Sequence, residues 1–208
     1  MAKLYFRYGA MNSGKTTSLI QVAHNYSERG MKTLIVKPVI DSKGKNTIIS
    51  RLNVSRKVDI LASDNENLLA RIQELEEKKG PFRCVLVDEA QFLTKDQVVQ
   101  LFKTAVIKDI PVVCYGLRTD FSLSGFKGST ALLLLAHSIE ELKTVCKCGR
   151  KAVANGRKIN GKFVFHGNQV AIDGEDNVEY ESLCAQCYFA LQQDRTGGER
   201  RSKSYNVN

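Results

Sequence analysis

The chain has 208 residues, of which 43% are apolar, enough for one α/β domain with a sizeable core and a small appendage. Its net charge of +9 favours acidic ligands such as nucleotides, nucleic acid or an anionic surface, but does not choose among them. The N-terminus has no apolar stretch of signal-peptide length, and the longest apolar run, 131–136, is too short to span a bilayer. We therefore expect a soluble, cytoplasmic protein that does not bind a membrane.

The first predicted elements are a strand over 3–8 and a helix over 17–29, joined by a glycine-rich loop. The loop matches the phosphate-binding pattern G-x-x-x-x-G-K-[ST] at every fixed position. In this pattern backbone N–H groups and the helix N-terminus bind an anion, Lys15 adds a positive charge, and the Thr16 hydroxyl can ligate Mg²⁺. A glycine-rich turn that ends in Gly-Lys-Thr by chance is the alternative. The predicted phosphate contacts are Gly9, Ala10, Met11, Asn12, Ser13, Gly14, Lys15, Thr16 and Thr17.

The next stretch continues the alternation of strand and helix. Residues 32–36 are apolar and β-branched, as a buried parallel strand requires. Residues 41–57 are polar and predict a long loop, which is either functional or only solvated. After a short predicted strand over 58–61, a capping box at 63–66 predicts a helix that ends at Lys79.

A buried strand over 83–87 is followed by two consecutive carboxylates, Asp88 and Glu89. Phosphate-loop proteins hold their Mg²⁺-binding aspartate at this place, directly or through water. A carboxylate beside the metal, here Glu89, is suited to take a proton from the group that attacks the γ-phosphate. If that group is water the protein is an ATPase, and if it is a substrate hydroxyl the protein is a kinase. A structural salt bridge is the alternative role for Glu89.

Two more helices and another strand complete the first domain. A capping box at Thr94 and Gln97 predicts a helix that ends at about Lys108. A buried strand is predicted over 111–117, and a short apolar helix over 129–136. The alternation predicts the fold class α/β, with a mostly parallel sheet of the phosphate-loop type flanked by helices. In such sheets ligands bind beyond the carboxyl ends of the strands.

The loop over 118–126 lies at that same end of the predicted sheet. It carries Phe121 and Phe126 among polar residues. These rings could stack on a flat substrate beside the nucleotide site, or pack on the core.

Four of the six cysteines lie in the last third of the chain, as the pairs Cys146-x-Cys148 and Cys184-x-x-Cys187. They bracket predicted strands around an Asn-Gly hairpin turn. Two cysteine pairs around a β-ribbon are typical of a closed, structural Cys₄ zinc site, although the first pair is more tightly spaced than usual. Free thiols are the alternative.

We predict three parts: a nucleotide-binding domain over 1–141, a zinc-binding lobe over 142–193 and a disordered basic tail over 194–208. One function class that fits is a small-molecule kinase. The other is a nucleic-acid-dependent ATPase, because residues 88–91 are similar to the acidic box of helicases. Such motors need two ATPase lobes, and the chain has room for one, so we expect no nucleic-acid partner.

Four motifs occur in order along the chain: Gly-Ala-Met-Asn-Ser-Gly-Lys-Thr at 9–16, Asp-Glu-Ala-Gln-Phe at 88–92, Tyr-Gly-Leu-Arg-Thr-Asp-Phe at 115–121, and the cysteine pairs with Tyr180 before the second. In this order they resemble the type II thymidine kinases, the zinc-containing cytosolic class. The resemblance implies transfer of the γ-phosphate of Mg-ATP to the 5′-hydroxyl of thymidine or deoxyuridine. It also implies a structural zinc ion, a homotetramer and feedback inhibition by thymidine triphosphate.

The same resemblance implies roles for individual residues. Lys15 would bind the phosphates, Thr16 and Asp88 would hold Mg²⁺, and Glu89 would deprotonate the 5′-hydroxyl. Arg51 falls where a mobile loop approaches the phosphates. The acidic motif would comprise Asp88, Glu89, Ala90 and Gln91, and the zinc ligands would be Cys146, Cys148, Cys184 and Cys187.

The nucleoside pocket implied by the resemblance draws on both parts of the chain. Tyr180 would pack on the nucleoside from the lasso segment over 168–180, which is more acidic and slightly longer than the common form. Ala171 and Ile172 would contact the base through their backbone, and Asn155 falls where some members place a threonine against the 5-methyl group. The implied contacts are Met11, Gln91, Phe92, Leu117, Phe121, Phe126, Asn155, Ala171, Ile172 and Tyr180.

Overall fold

The computed structural model describes residues 1–39, 46–50, 53–169 and 177–196. Its helices are α1 (Lys15–Ser27), α2 (Leu68–Lys79), α3 (Lys95–Ile107), α4 (Lys127–Leu135) and α5 (Ala185–Thr196). Its strands are β1 (Leu4–Tyr8), β2 (Thr33–Pro38), β3 (Thr47–Ile49), β4 (Ser55–Lys57), β5 (Ile60–Ala62), β6 (Cys84–Val87), β7 (Val112–Gly116), β8 (Ser138–Glu141), β9 (Ala154–Ile159), β10 (Lys162–Val164) and β11 (Val178–Leu183).

The central sheet of the described chain has the strand order β5-β2-β6-β7-β1-β8, and every neighbouring pair is parallel. Every residue of β6 and β7 is buried, which explains why both strands are continuous apolar runs. Helix α1 packs on one face of the sheet, and α2, α3 and α4 pack on the other. The predicted α/β class with a mostly parallel, helix-covered sheet is confirmed.

The two predicted capping boxes have different outcomes. The box at Thr94 and Gln97 is present and opens α3, as predicted. The box at 63–66 is wrong, because α2 begins at Leu68 and is capped by Asn67, whose side chain accepts from the Ala70 N–H at 3.1 Å. Asparagine is as good an N-cap as serine.

The small lobe is built on an antiparallel sheet of order β10-β9-β11. The predicted Asn160-Gly161 turn joins β9 to β10, and both turn residues have positive φ, 50° and 76°. Strand β8 at the edge of the central sheet, β11 and α5 have no counterpart among the predicted elements. The prediction of a loop throughout 41–57 is also wrong, because β3 and β4 pair antiparallel within that stretch. Helix α5 continues to Thr196, past the predicted lobe boundary at residue 193, and the rest of the predicted tail, 197–208, lies outside the described residues.

No helix in the described ranges combines the length and apolarity needed to cross a membrane.

Candidate active site

The phosphate loop joins β1 to α1 at the carboxyl end of the central sheet. Gly14 is the N-cap of α1 in the left-handed conformation with φ of 77° and, because glycine has no side chain, no side chain at this position caps the first helical amides. A cavity of about 450 Å³ borders this helix end. The cavity is lined by Met11, Asn12, Gly14, Lys15, Thr16, Thr17, Ile49, Glu89 and Leu117. The structure therefore brings the predicted phosphate loop, one carboxylate of the acidic pair and the residue after β7 to one site.

The charge of Lys15 lies at the loop itself. Its ammonium donates to the carbonyls of Gly9 and Ala10 at 3.1 and 2.8 Å, and to the Ser13 hydroxyl at 3.3 Å. A cation and a helix N-terminus at one loop form an electrostatic site for an anion such as a phosphate chain.

Asp88 lies beside Thr16, as the predicted Mg²⁺ site requires. The Thr16 hydroxyl is 3.4 and 3.5 Å from the two carboxylate oxygens of Asp88. Asp88 is buried, and this burial, followed by the neighbouring Glu89 carboxylate, raises the pKa of Asp88 to about 7. A hydroxyl and a carboxylate next to a phosphate loop are the oxygen donors that Mg²⁺ prefers.

We expect Asp88 to destabilise the unliganded protein at neutral pH. Its ordinary pKa is 3.8, so its ionisation opposes folding increasingly as the pH rises from that value to about 7. Asp88→Asn should raise the free energy of unfolding at pH 8 by up to about 4 kcal/mol, since each pKa unit corresponds to about 1.4 kcal/mol. The gain should shrink as the pH falls towards 5. Urea unfolding without Mg²⁺ or nucleotide, compared with the exposed Asp64→Asn, measures it, and a gain independent of pH would contradict the assignment.

Glu89 adopts a left-handed backbone conformation, with φ of 50°, at the start of a 3₁₀ turn over Ala90–Phe92. For a residue other than glycine this conformation costs roughly 1–3 kcal/mol, and such residues cluster at functional sites. The conformation turns the chain directly after Asp88, and the Glu89 side chain lines the cavity. The two carboxylates therefore occupy different environments: Asp88 is buried, whereas Glu89 faces the cavity.

Gln91 links the acidic turn to the chain after β7. Its amide nitrogen donates to the Glu89 carboxylate, and its amide oxygen accepts from the Leu117 N–H at 3.1 Å. A Cβ atom on Gly116 would lie 2.8 Å from that amide oxygen, so the close packing requires glycine. Gln91 thus fixes the orientation of Glu89 relative to Leu117.

The predicted aromatic residues lie close to this site, and two of them pack together. Phe121 and Phe126 are both buried, and Phe126 packs edge to face with Phe92 at a centroid distance of 5.4 Å. Leu117 and Met11 line the cavity itself. Both rings of the 118–126 loop therefore pack inside the protein, and their contact with a substrate stays a prediction.

Asn155 connects the small lobe to the phosphate loop. Its amide oxygen accepts from the Met11 N–H at 2.7 Å, and its amide nitrogen donates to the Thr119 carbonyl at 3.0 Å. Tyr180 lies on the same sheet, where its hydroxyl accepts from Arg157. Arg51, Ala171 and Ile172 lie outside the described residues.

The four cysteines of the lobe converge. The sulfur atoms of Cys146, Cys148, Cys184 and Cys187 all lie within 4.8 Å of one another. Tetrahedral ligation with zinc–sulfur bonds of about 2.3 Å places sulfurs about 3.8 Å apart, so the cluster fits one ion after a small contraction. The Arg150 backbone N–H and the neighbouring thiols lower the pKa of Cys148 to about 6, which favours a thiolate ligand. The tight C-x-C spacing does not keep Cys146 from the cluster.

Three residues at the site were missed by the sequence analysis. Arg157 contacts Tyr180 and lies over the Phe121 ring, the Ser182 hydroxyl donates to the Met11 carbonyl, and the Tyr188 hydroxyl donates to the Phe121 carbonyl at 2.8 Å. Strand alternation is the signal that could have found the first two, because residues 155 and 157 share one face of β9, and residues 180 and 182 share one face of β11.

Comparison with known proteins agrees with this arrangement. The family model described as thymidine kinase matches residues 2–188. A thymidine kinase from Legionella pneumophila strain Paris is 47% identical over 186 residues, which cover 88% of each chain. One from Shewanella oneidensis is 48% identical and covers 88% of this chain and 95% of its own, and one from Rhodopirellula baltica is 48% identical with coverage of 88% and 86%. The chain belongs to the thymidine kinase family.

Proposed function

We propose that the protein transfers the γ-phosphate of ATP to the 5′-hydroxyl of thymidine, or of deoxyuridine, and so forms the nucleoside 5′-monophosphate. The observation that carries this proposal is the shared cavity, which Glu89 and Leu117 line together with the phosphate loop and the start of α1. A carboxylate in that place fits a reaction in which a hydroxyl is deprotonated as it attacks phosphorus.

The phosphate loop, residues 9–17, binds the ATP phosphates in this proposal. Lys15 and the backbone N–H groups at the start of α1 neutralise and orient them. Thr16 and Asp88 hold Mg²⁺, directly or through water. Bound there, Mg²⁺ would screen the negative charge of the phosphates during transfer. Arg51 is proposed as a further phosphate contact.

Glu89 is the proposed general base. It accepts the proton of the 5′-hydroxyl, and Gln91 keeps its carboxylate oriented through their hydrogen bond. Substrate alignment supplies much of the lowering of the barrier in phosphoryl transfer, so a fixed base matters as much as its basicity.

The nucleoside pocket is proposed to lie between the acidic turn, the loop after β7 and the small lobe. Support comes from Met11 and Leu117 in the cavity wall, and from Phe126, which packs on Phe92 of the acidic turn. The proposed contacts are Met11, Gln91, Phe92, Leu117, Phe121, Phe126, Asn155, Ala171, Ile172 and Tyr180.

The cysteine cluster is proposed to bind a structural zinc ion that holds the small lobe together. As thiolates, the four cysteines would complete the coordination of one zinc ion and would leave no place for a reacting ligand. Resemblance to the type II enzymes supports three further proposals: a homotetramer, feedback inhibition by thymidine triphosphate and a cytoplasmic location. The size of the chain, which has room for only one ATPase lobe, supports the proposal that no nucleic acid is a partner.

Release of ADP from Mg-ATP tests the proposed reaction. The purified protein is assayed in parallel with thymidine, deoxyuridine, deoxycytidine, deoxyadenosine, single-stranded nucleic acid and no acceptor. We expect turnover with thymidine and deoxyuridine, and almost none without an acceptor. Turnover stimulated by nucleic acid, or equal turnover without any acceptor, would refute the kinase and favour an ATPase.

A further inference from the structure

One face of the small sheet carries a row of four polar side chains. Asn155 pairs across the strands with Ser182, and Arg157 with Tyr180, so the four side chains share a face. The first pair holds both backbone polar groups of Met11 in the phosphate loop. The second pair contacts the other side of the site, and Arg157 makes most of those contacts.

Arg157 joins two segments of the small lobe that lie on either side of residues 170–179 in sequence. Its Nε donates to the Tyr180 hydroxyl at 3.0 Å. Its two terminal nitrogens donate to the carbonyls of Asn168 and Gln169, each at 2.7 Å. One guanidinium group therefore links residues 168 and 169, which follow β10, to Tyr180 near the beginning of β11.

The same guanidinium lies against the loop after β7. Its carbon is 3.7 Å from the centre of the Phe121 ring, which is a close cation–π contact. Two further contacts hold that loop to the lobe: the Tyr188 hydroxyl donates to the Phe121 carbonyl, and the Gln169 amide donates to Asp120 at 3.0 Å. Phe121 is consequently held from the lobe side by Arg157 and Tyr188, and its neighbour Asp120 by Gln169.

Arg157 is only 4% exposed, and no salt bridge joins it to a carboxylate in the described part of the chain. A buried charge destabilises the fold unless its hydrogen bonds are satisfied. Here three oxygen acceptors and an aromatic face satisfy it. A planar group with several fixed donors is needed for this geometry, and a lysine ammonium does not provide one.

We propose that Arg157 is a positioning residue that sets the affinity for the nucleoside, by holding Asn168, Gln169 and Tyr180 against Phe121. The proposal rests on the proposed function, since Phe121 and Tyr180 are assigned there to the nucleoside pocket. Arg157 acts through these neighbours and not on the reacting atoms. Its loss should therefore weaken the binding of the nucleoside more than the binding of ATP.

Steady-state kinetics with Arg157→Lys test this split. The variant keeps the charge but loses the planar set of donors, so we expect the KM for thymidine to rise about 10- to 100-fold, the scale of one lost hydrogen bond to a charged group. The KM for ATP should stay near the wild-type value. Lys158→Ala is the control, because Lys158 is the next residue of β9 and pairs with Glu181. An equal rise in the control, or equal rises in both KM values, would overturn the proposal.

Hydrogen exchange separates this inference from the proposed reaction. In the unliganded protein, peptides that contain residues 119–125 should exchange faster in Arg157→Lys than in the wild type, and Lys158→Ala should leave them unchanged. If thymidine is not a substrate but this difference is found, the proposed function fails and the positioning role stands. Unchanged exchange would refute the role. If Arg157→Lys does not fold, Tyr180→Phe replaces it, because this variant removes only the hydroxyl that accepts from Arg157. We expect smaller changes in the KM for thymidine and in hydrogen exchange. No change in either measurement would refute the role.

Discussion

Glu89→Gln should lose turnover while it still binds ATP and thymidine. The substitution keeps the size of the side chain and an oxygen that can accept from the Gln91 amide, so the acidic turn should keep its shape. What it removes is the basic carboxylate in the cavity. Since general-base catalysis contributes about 10²- to 10⁴-fold, we expect kcat to fall by that factor while both KM values change little.

A matched control exists on helix α1. Glu28→Gln makes the same chemical change at an exposed residue at the far end of the helix that begins in the phosphate loop. Its kcat should equal that of the wild type. If Glu89→Gln kept near-normal kcat, Glu89 would not be the base. The proton of the 5′-hydroxyl would then have to pass to solvent or to the phosphate itself. Calorimetric titration with thymidine and with Mg-ATP shows whether binding survives.

The parts of the site that depend on a local pattern could be predicted from the sequence. The phosphate loop needs a strand, a glycine-rich turn and a helix in succession, and all three lie within the segment from β1 to α1. Asp88 and Glu89 follow a continuous apolar run, and the carboxyl ends of parallel strands meet at one edge of the sheet. The alternation of strands and helices along the chain therefore predicts that these segments meet at one cavity.

Contacts between the small lobe and the phosphate loop could not be predicted in this way. Asn155 and Ser182 reach Met11 from a sheet more than 140 positions away in sequence. No local preference encodes such contacts, because they depend on how the lobe is placed on the main domain. The prediction of where α2 begins was wrong for a different reason. Ser63 and Asn67 are both good N-cap residues, and Asn67 lies directly before the apolar residues that α2 buries.

Strand β8 and helix α5 escaped prediction because neither has a clear amphipathic pattern. β8 is an exposed edge strand of four residues, and its pairing with β1 leaves its side chains mostly exposed. In the part of α5 whose side chains are described, one face with Cys187, Tyr188 and Leu191 packs on the lobe core. The exposed residues Phe189 and Ala190 are apolar as well, so the sequence shows no clear contrast between the two faces. The place of α5 is fixed by Cys184 and Cys187 at its start and by Tyr188, which is buried against Phe165.

Cys184→Ala should release zinc and loosen the small lobe. Substitution of groups that only support a metal ligand costs 10- to 100-fold in affinity, so loss of a ligand should cost more than about 100-fold. Cys146→Ala should behave in the same way, because its sulfur lies in the same cluster despite the C-x-C spacing. Metal analysis of the purified variants should find less than the expected content of about one zinc ion per chain.

The effect of Cys184→Ala should extend beyond the lobe. Cys184 lies two residues after Ser182, which holds Met11, and four residues before Tyr188, which holds Phe121. Loss of the ion should therefore lower the unfolding temperature and disturb both halves of the cavity, so that turnover falls as well. Cys114→Ala is the control, since it removes a buried thiol from β7 and should lower stability through lost packing without releasing zinc. If Cys184→Ala kept the wild-type zinc content, Cys184 would not be a zinc ligand. If the variant lost zinc but kept full turnover, the phosphate loop and Phe121 would hold their positions without the metal.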